Sequence, residues 1–340
     1  MQKGKLFGWM LAAVVLSACS KSDDTEDENN GNWKELPEMS ASPRSEAVAF
    51  VIGDTAYIGT GFDGDKQLRD FWKYNPANGW SQSANLPAEA AARSSATAFV
   101  IDKKAYVGTG FDGKIRLSDF WSYSPETGNW EKKAPLVGPD PSISLARRDA
   151  VSFAINGKGY VATGNDGSGT KDVWMYDPVA DQWLARQSFG GSKRTEAVAF
   201  VLGQNAYIVT GTNNSELKND MWVYDAAADN WTQKNKIANV SEDSFDDEYN
   251  IVTSQAVAFA VNNKAYVITG TGNGISKSTW EYDGVTDLWK KVRDFEGAAR
   301  YSAVAFVLGG KGHVASGRTG SLPLDDVYLF EPNATYNEND

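Results

Sequence analysis

Apolar residues in this chain come in short runs separated by turns, and the runs recur in a fixed order. The first unit reads Ala47-Val48-Ala49-Phe50, then Ala56-Tyr57-Ile58, then Thr60-Gly61, then Asp70-Phe71-Trp72 with Tyr74, then Trp80. The second reads Ala96-Thr97-Ala98-Phe99, Ala105-Tyr106-Val107, Thr109-Gly110, Asp119-Phe120-Trp121 with Tyr123, then Trp130. Marked by the polar residue ahead of the first run, units begin at Arg44, Arg93, Arg148, Arg194, Gln255 and Arg300. Runs this short, with aromatic and β-branched residues, read as strands. Four strands per unit and a period of about fifty residues are the pattern of a propeller blade.

Within a unit, the first strand (47–52) is a near-continuous apolar run rich in alanine, as expected for the crowded innermost strand, covered on both faces. Gly53-Asp54-Thr55 and its counterparts, such as Asn156-Gly157-Lys158 and Gly309-Gly310-Lys311, supply hairpin residues tolerant of positive φ. The fourth strand centres on Trp80, Trp130, Trp183, Trp231 or Trp289, but the last unit ends at 328–332 with no such tryptophan. A matching segment, Trp33-Lys34-Glu35-Leu36, stands at the other end of the chain. The expectation is an all-β, six-bladed propeller over residues 33–332, closed by the N-terminal strand so that no sheet edge stays open.

The strand-one arginine, the tyrosine-hydrophobic pair before the glycine of strand two, the Asp-aromatic-Trp-x-Tyr segment and the strand-four tryptophan together resemble the kelch repeat. Where kelch units usually carry a double glycine after strand two, this chain has Thr60-Gly61, Thr109-Gly110, Thr163-Gly164, Thr210-Gly211, Thr269-Gly270 and Ser316-Gly317. The resemblance implies a ligand or partner on the face where strand one begins. Arg44, Arg93, Arg148, Arg194 and Arg300 are expected on that rim, either as an anion-binding funnel or paired with the nearby acids Glu46, Asp149 and Glu196. Phe62, Phe111 and Arg318 join them from the loops after strand two. Two longer loops, 137–146 and the acid-rich 236–253, belong to the same face. The second is read as a solvated excursion or a lid, since it lacks the ligand spacing of an EF-hand.

Chemistry is constrained by what the chain lacks. It has one histidine, His313, at the position of Tyr57, and one cysteine, Cys19, so Ser-His-Asp catalysis, a His/Cys metal site and an internal disulfide find no residues. A net charge of -11 argues against a nucleic-acid partner. No metal or cofactor is expected. One enzymatic reading comes through resemblance, because N-acetylneuraminate mutarotases are six-bladed kelch proteins. It implies Arg44 or Arg194 on a sugar carboxylate and Glu46 or Glu196 as the acid–base group. The main expectation is a binding or scaffolding module that recognises a glycan or an acidic peptide, or serves an outer-membrane complex.

Residues 1–18 read as a targeting segment, with Lys3 and Lys5 ahead of an apolar run and Leu16-Ser17-Ala18-Cys19 resembling a bacterial lipobox. Acyl chains on Cys19 would hold the protein on a membrane without spanning it. Residues 19–32 form an acidic tether resembling that of surface-exported lipoproteins, and 333–340 a polar tail. The expected place is the bacterial outer membrane, facing the periplasm or the outside.

Overall fold

The computed structural model describes Met1 and residues 30–140 and 142–339. The targeting segment, Cys19 and most of the acidic tether therefore lie outside the described residues. Among the described residues no helix is long and apolar enough to cross a membrane.

Six four-stranded antiparallel sheets make up the body of the protein. In the first, Val48–Ile52 pairs with Thr55–Gly59, which pairs with Phe71–Asn75, which pairs with Gly79–Ser83. Four more blades repeat that order along the chain. The sixth is composite: Val304–Leu308, Lys311–Ala315 and Val327–Glu331 are completed by Asn32–Leu36 from the N-terminus. First strands of successive blades pack side by side, and the first strand of blade one packs on that of blade six. The ring is thus closed.

The first strands alternate fully and partly buried residues, as in Val48, Ala49, Phe50, Val51 and Ile52, with Val48, Phe50 and Ile52 packed toward blade two and Ala49 and Val51 toward blade six. A stacked pair from strands one and two recurs: Phe50 on Tyr57, Phe99 on Tyr106, Phe153 on Tyr160 and Phe200 on Tyr207, with ring centroids 5.0–5.4 Å apart. His313 fills that position in blade six, its ring 4.8 Å from Phe306, and burial pushes its pKa down to about 4. The lone histidine is a packed blade residue.

Outer tryptophans link neighbouring blades. Trp80 Nε1 donates to the Pro37 carbonyl, Trp130 to Ala84, Trp183 to Ala134, Trp231 to Gln187 and Trp33 to Arg293. The N-terminal segment therefore provides both a donor (Trp33) and an acceptor (Pro37), which ties the last blade to its neighbours on either side.

Candidate functional site

Each repeat arginine is inside its blade. Arg44, Arg93, Arg147, Arg194 and Arg300 are at most 1% exposed. Arg93 shows the arrangement. Its Nε donates to the Ala91 carbonyl, Nη1 to the Thr109 carbonyl at 3.1 Å and to Asp119 Oδ1 at 2.8 Å, and Nη2 to Asp119 Oδ2 at 2.7 Å. Trp121 Nε1 donates to the same carboxylate at 2.7 Å. Arg44 with Asp70, Arg147 with Asp172 and Arg300 with Asp326 repeat the two-pronged pairing, while Arg194 reaches Asp220 through one nitrogen. Burial alone would raise the pKa of Asp70, Asp119, Asp172 and Asp220. Hydrogen bonds and charge from the arginine, helped by the tryptophan N–H, outweigh it and hold each below the usual carboxylate range.

These contacts correct the expected funnel in three respects. Arg44, Arg93 and Arg300 do not converge on the rim, because a guanidinium bound on nearly every N–H has no donor left to aim outward, while Arg194, buried and bound to Asp220, keeps an unpartnered Nε and lines a cavity over blades three to five. Their partners are the aspartates that open strand three, rather than Glu46, Asp149 and Glu196. And the repeat arginine of blade three is Arg147, not Arg148, while its counterpart in blade five is Thr253, not Gln255. The register is fixed by a closed circuit of backbone hydrogen bonds. Gly61 N–H donates to the Arg93 carbonyl, Gly110 to Arg147, Gly164 to Arg194, Gly211 to Thr253, Gly270 to Arg300 and Gly317 to Arg44. Counting back three residues from the first alanine of each strand (Ala47, Ala96, Ala150, Ala197, Ala256, Ala303) would have found it.

The residue ahead of that glycine is left-handed in every blade: Thr60, Thr109, Thr163, Thr210, Thr269 and Ser316 have φ of 57–65°. A threonine there is strained. In five blades the arginine donates to the carbonyl of this same residue, whereas Thr269 of blade five keeps the same φ without one.

A second circuit lies nearer the axis. Glu46, Ser95, Asp149, Glu196, Gln255 and Ser302 all have φ of 52–58°, and each N–H donates to the carbonyl of the preceding member, closing from Ser302 back to Glu46. Their side chains surround the mouth of the central channel, a void of about 110 Å³. Glu46 accepts from Ser95 Oγ at 2.9 Å and lies 4.0 Å from Arg318. Glu196 accepts from Gln255 Nε2 at 2.6 Å, and Gln255 Oε1 accepts from Ser302 Oγ at 3.0 Å. Burial raises the pKa of Asp149 to about 6, against the opposing effects of Ser95 and Arg148 and with help from Glu196 and Glu46.

Beside this mouth, over blades three to five, opens a cavity of about 480 Å³. Asp149 and Glu196 line both the cavity and the mouth. The remaining wall is mostly polar: Asn165, Ser168, Thr195, Thr212, Asn213, Asn214 and Ser254, with Arg148. Arg148 is 37% exposed, has its Nε 3.3 Å from Asp149, and covers the ring of Phe111 at 5.1 Å. Arg116 reaches the same corner and donates to Asn165 Oδ1 at 3.1 Å. Sequence reasoning reached Arg148 and Phe111, and the same loops after strand two bring the asparagines, but it missed Arg116. Phe62 and Arg318 stand apart from this cavity. Phe62 is paired through its backbone with Ser45, and Arg318 lies against Tyr301.

The acid-rich loop is anchored rather than solvated. Ile237, Tyr249 and Ile251 are in the core, and the Tyr249 hydroxyl accepts the Trp289 N–H at 2.6 Å. Asp246 is buried and accepts from the backbone of Val240 and Ser241, while Glu242, Asp243, Asp247 and Glu248 face water. Among the described residues no cluster of His, Cys, Asp and Glu has the geometry of a metal site.

A family described as the Kelch motif matches residues 92–137, which span the second blade. No curated protein matches the chain. Among solved structures, one titled "Structure of YjhT" superposes with a TM-score of 0.69 at 19% identity, over 86% of this chain and 95% of the other. At that identity the likeness speaks for the fold alone. Blade count, closure and motif agree, and the chain is a six-bladed β-propeller with a kelch motif.

Proposed function

We propose that this propeller is a glycan-binding module whose ligand occupies the cavity over blades three to five. The observation that carries the reading is the composition of that wall. It offers amide, hydroxyl and backbone groups suited to a polyhydroxylated ligand, and a half-exposed arginine suited to a carboxylate. Of the arginines expected to meet a ligand, this reading keeps Arg148 at the cavity as the exposed one, with the buried Arg194 in the wall and Arg318 farther round the face. Arg44, Arg93 and Arg300 serve the blades. A lipid anchor at Cys19 and an outer-membrane address belong to the same proposal, since a tethered sugar-binding face suits an envelope protein.

Saturation-transfer NMR against a panel of neutral and acidic sugars tests it. The expected result is transfer to an acidic sugar that weakens at least tenfold in apparent affinity in Arg148→Ala. No transfer to any sugar, with intact folding, would sink the reading.

A second reading is favoured by one specific observation. Asp149 is a carboxyl whose pKa burial raises to about 6, beside a guanidinium at the edge of a cavity able to hold a sugar ring. Sugar ring opening needs a proton acceptor and donor of that kind and no cofactor. On this reading Asp149 takes the acid–base role that the sequence gave to Glu46 or Glu196, whose carboxylates accept from Ser95 and from Gln255. Following the anomeric signals of α-N-acetylneuraminate separates the two. Acceleration lost in Asp149→Asn supports a mutarotase, and equilibration at the buffer rate leaves the binding module.

A further inference from the structure

Blade five has lost both halves of the buried pair. Thr253 stands where the other blades have arginine, and Ser278, whose carbonyl accepts the Thr269 N–H as Asp70 accepts that of Thr60, stands where they have aspartate. The space is not refilled. A cavity of about 220 Å³ remains, lined by Thr253, Thr269, Ser278 and Trp280 and by the apolar side chains of Ile251 and Val267. Two polar groups are left behind in it. Trp280 is 4% exposed and its Nε1 has no protein partner, whereas Trp72, Trp121, Trp174 and Trp222 donate to the blade aspartate. The Thr269 carbonyl has no arginine to accept from, whereas its five counterparts do.

A buried N–H donor without a partner keeps the full cost of its lost hydration, so the site favours an occupant that accepts from Trp280 and donates to Thr269. A lone guanidinium would enter without the aspartate, and a lone carboxylate without the arginine. Either would be a buried charge with no counter-charge. A neutral planar group with one acceptor and one donor meets both demands. We infer that the blade-five cavity is a binding site for a neutral amide group, of the kind carried by an N-acetylated sugar, whose carbonyl accepts from Trp280 and whose N–H donates to Thr269. Ile251 and Val267 offer the apolar wall for a methyl group. The choice of a sugar as the source rests on the glycan reading, but the amide chemistry stands on the cavity alone.

The test follows the indole N–H resonance of Trp280 in the full chain, assigned by its loss in Trp280→Phe. Expected is a saturable shift with N-methylacetamide, and with N-acetylglucosamine but not glucose. Guanidinium chloride and sodium acetate at the same concentration should leave the resonance in place. The shift should vanish in the double variant Thr253→Arg, Ser278→Asp, which refills the space with the pair the other blades carry. That variant's other indole resonances report whether it folds. A resonance unmoved by N-methylacetamide, or moved equally by guanidinium or acetate, overturns the amide site. A response to N-methylacetamide without one to N-acetylglucosamine supports the amide site and overturns the sugar source, whether or not the larger cavity binds glycans.

Discussion

Blades two and five are built on the same four strands, yet one is full where the other is hollow. In blade two, Arg93, Asp119, the Trp121 indole and the Thr109 carbonyl form one buried network. In blade five, Thr253, Ser278, Trp280 and Thr269 occupy those positions and the network is absent, but the strands pair in the same register. The backbone circuits explain why. Gly211 still donates to the Thr253 carbonyl and Gln255 to that of Glu196, so neighbouring blades hold blade five in place without the pair. The arginine and aspartate therefore fill a blade rather than shape it. They can be lost together at modest cost, but not one at a time, since a single loss strands a buried charge.

Breaking blade two is expected to give the largest effect. Arg93→Ala should destabilise by about 3–5 kcal/mol, the usual cost of orphaning one member of a buried pair, read as the urea unfolding midpoint. The joint change Arg93→Thr, Asp119→Ser, which copies blade five, should cost less than Arg93→Ala alone. If the double is the worse variant, the pair shapes the blade after all.

Acid titration sharpens the contrast next. The pKa of Asp119 is lower folded than unfolded, so its stabilisation is present above the unfolded value near 3.8 and is lost as pH falls below it. Ser278 gives blade five no such dependence, and the blade-five copy in blade two should flatten the acid limb. Asp149 runs the other way. Its folded pKa is raised to about 6, so its contribution is present below 3.8 and is lost as pH rises through 6. Asp149→Asn should then gain on the parent above pH 6 by on the order of 2–3 kcal/mol. An unchanged pH–stability curve would remove Asp149 from the acid–base reading.

The smallest effect concerns the outer strands. Trp130 Nε1 donates to the Ala84 carbonyl at 2.9 Å, whereas Trp289 Nε1 has no protein partner. Trp130→Phe should cost about 1 kcal/mol more than Trp289→Phe, the net worth of one hydrogen bond, by thermal unfolding. Equal losses would mean that indole packing alone links the blades.

Much of this was legible in the residues, because a repeat states its architecture six times. Trp33 and the missing final tryptophan gave the closure, and the alignment of His313 with Tyr57 gave its burial. The positive-φ turns at Gly53, at Asn156-Gly157 and at Gly309-Gly310 follow from residue types alone. The site was less legible for a physical reason. A recurrent arginine looks the same in sequence whether it faces a ligand or an aspartate some twenty-five residues on, and only the folded blade brings Arg93 to Asp119. The adjacent Arg147 and Arg148 show the difficulty most sharply, since one is buried in the blade and the other opens onto the cavity. The hollow of blade five was written in the chain as Thr253 and Ser278, but it could be read only once both were known to be partners.

The most direct measurement is a double-mutant cycle at that hollow, by urea unfolding of Thr253→Arg, Ser278→Asp and the combination. Each single change should destabilise, because each buries an unpaired charge, and the combination should recover the loss, with a coupling of at least about 2 kcal/mol. Additive losses would show that blade five no longer holds the slot for the pair, and would contradict the view that its cavity is the space the pair left.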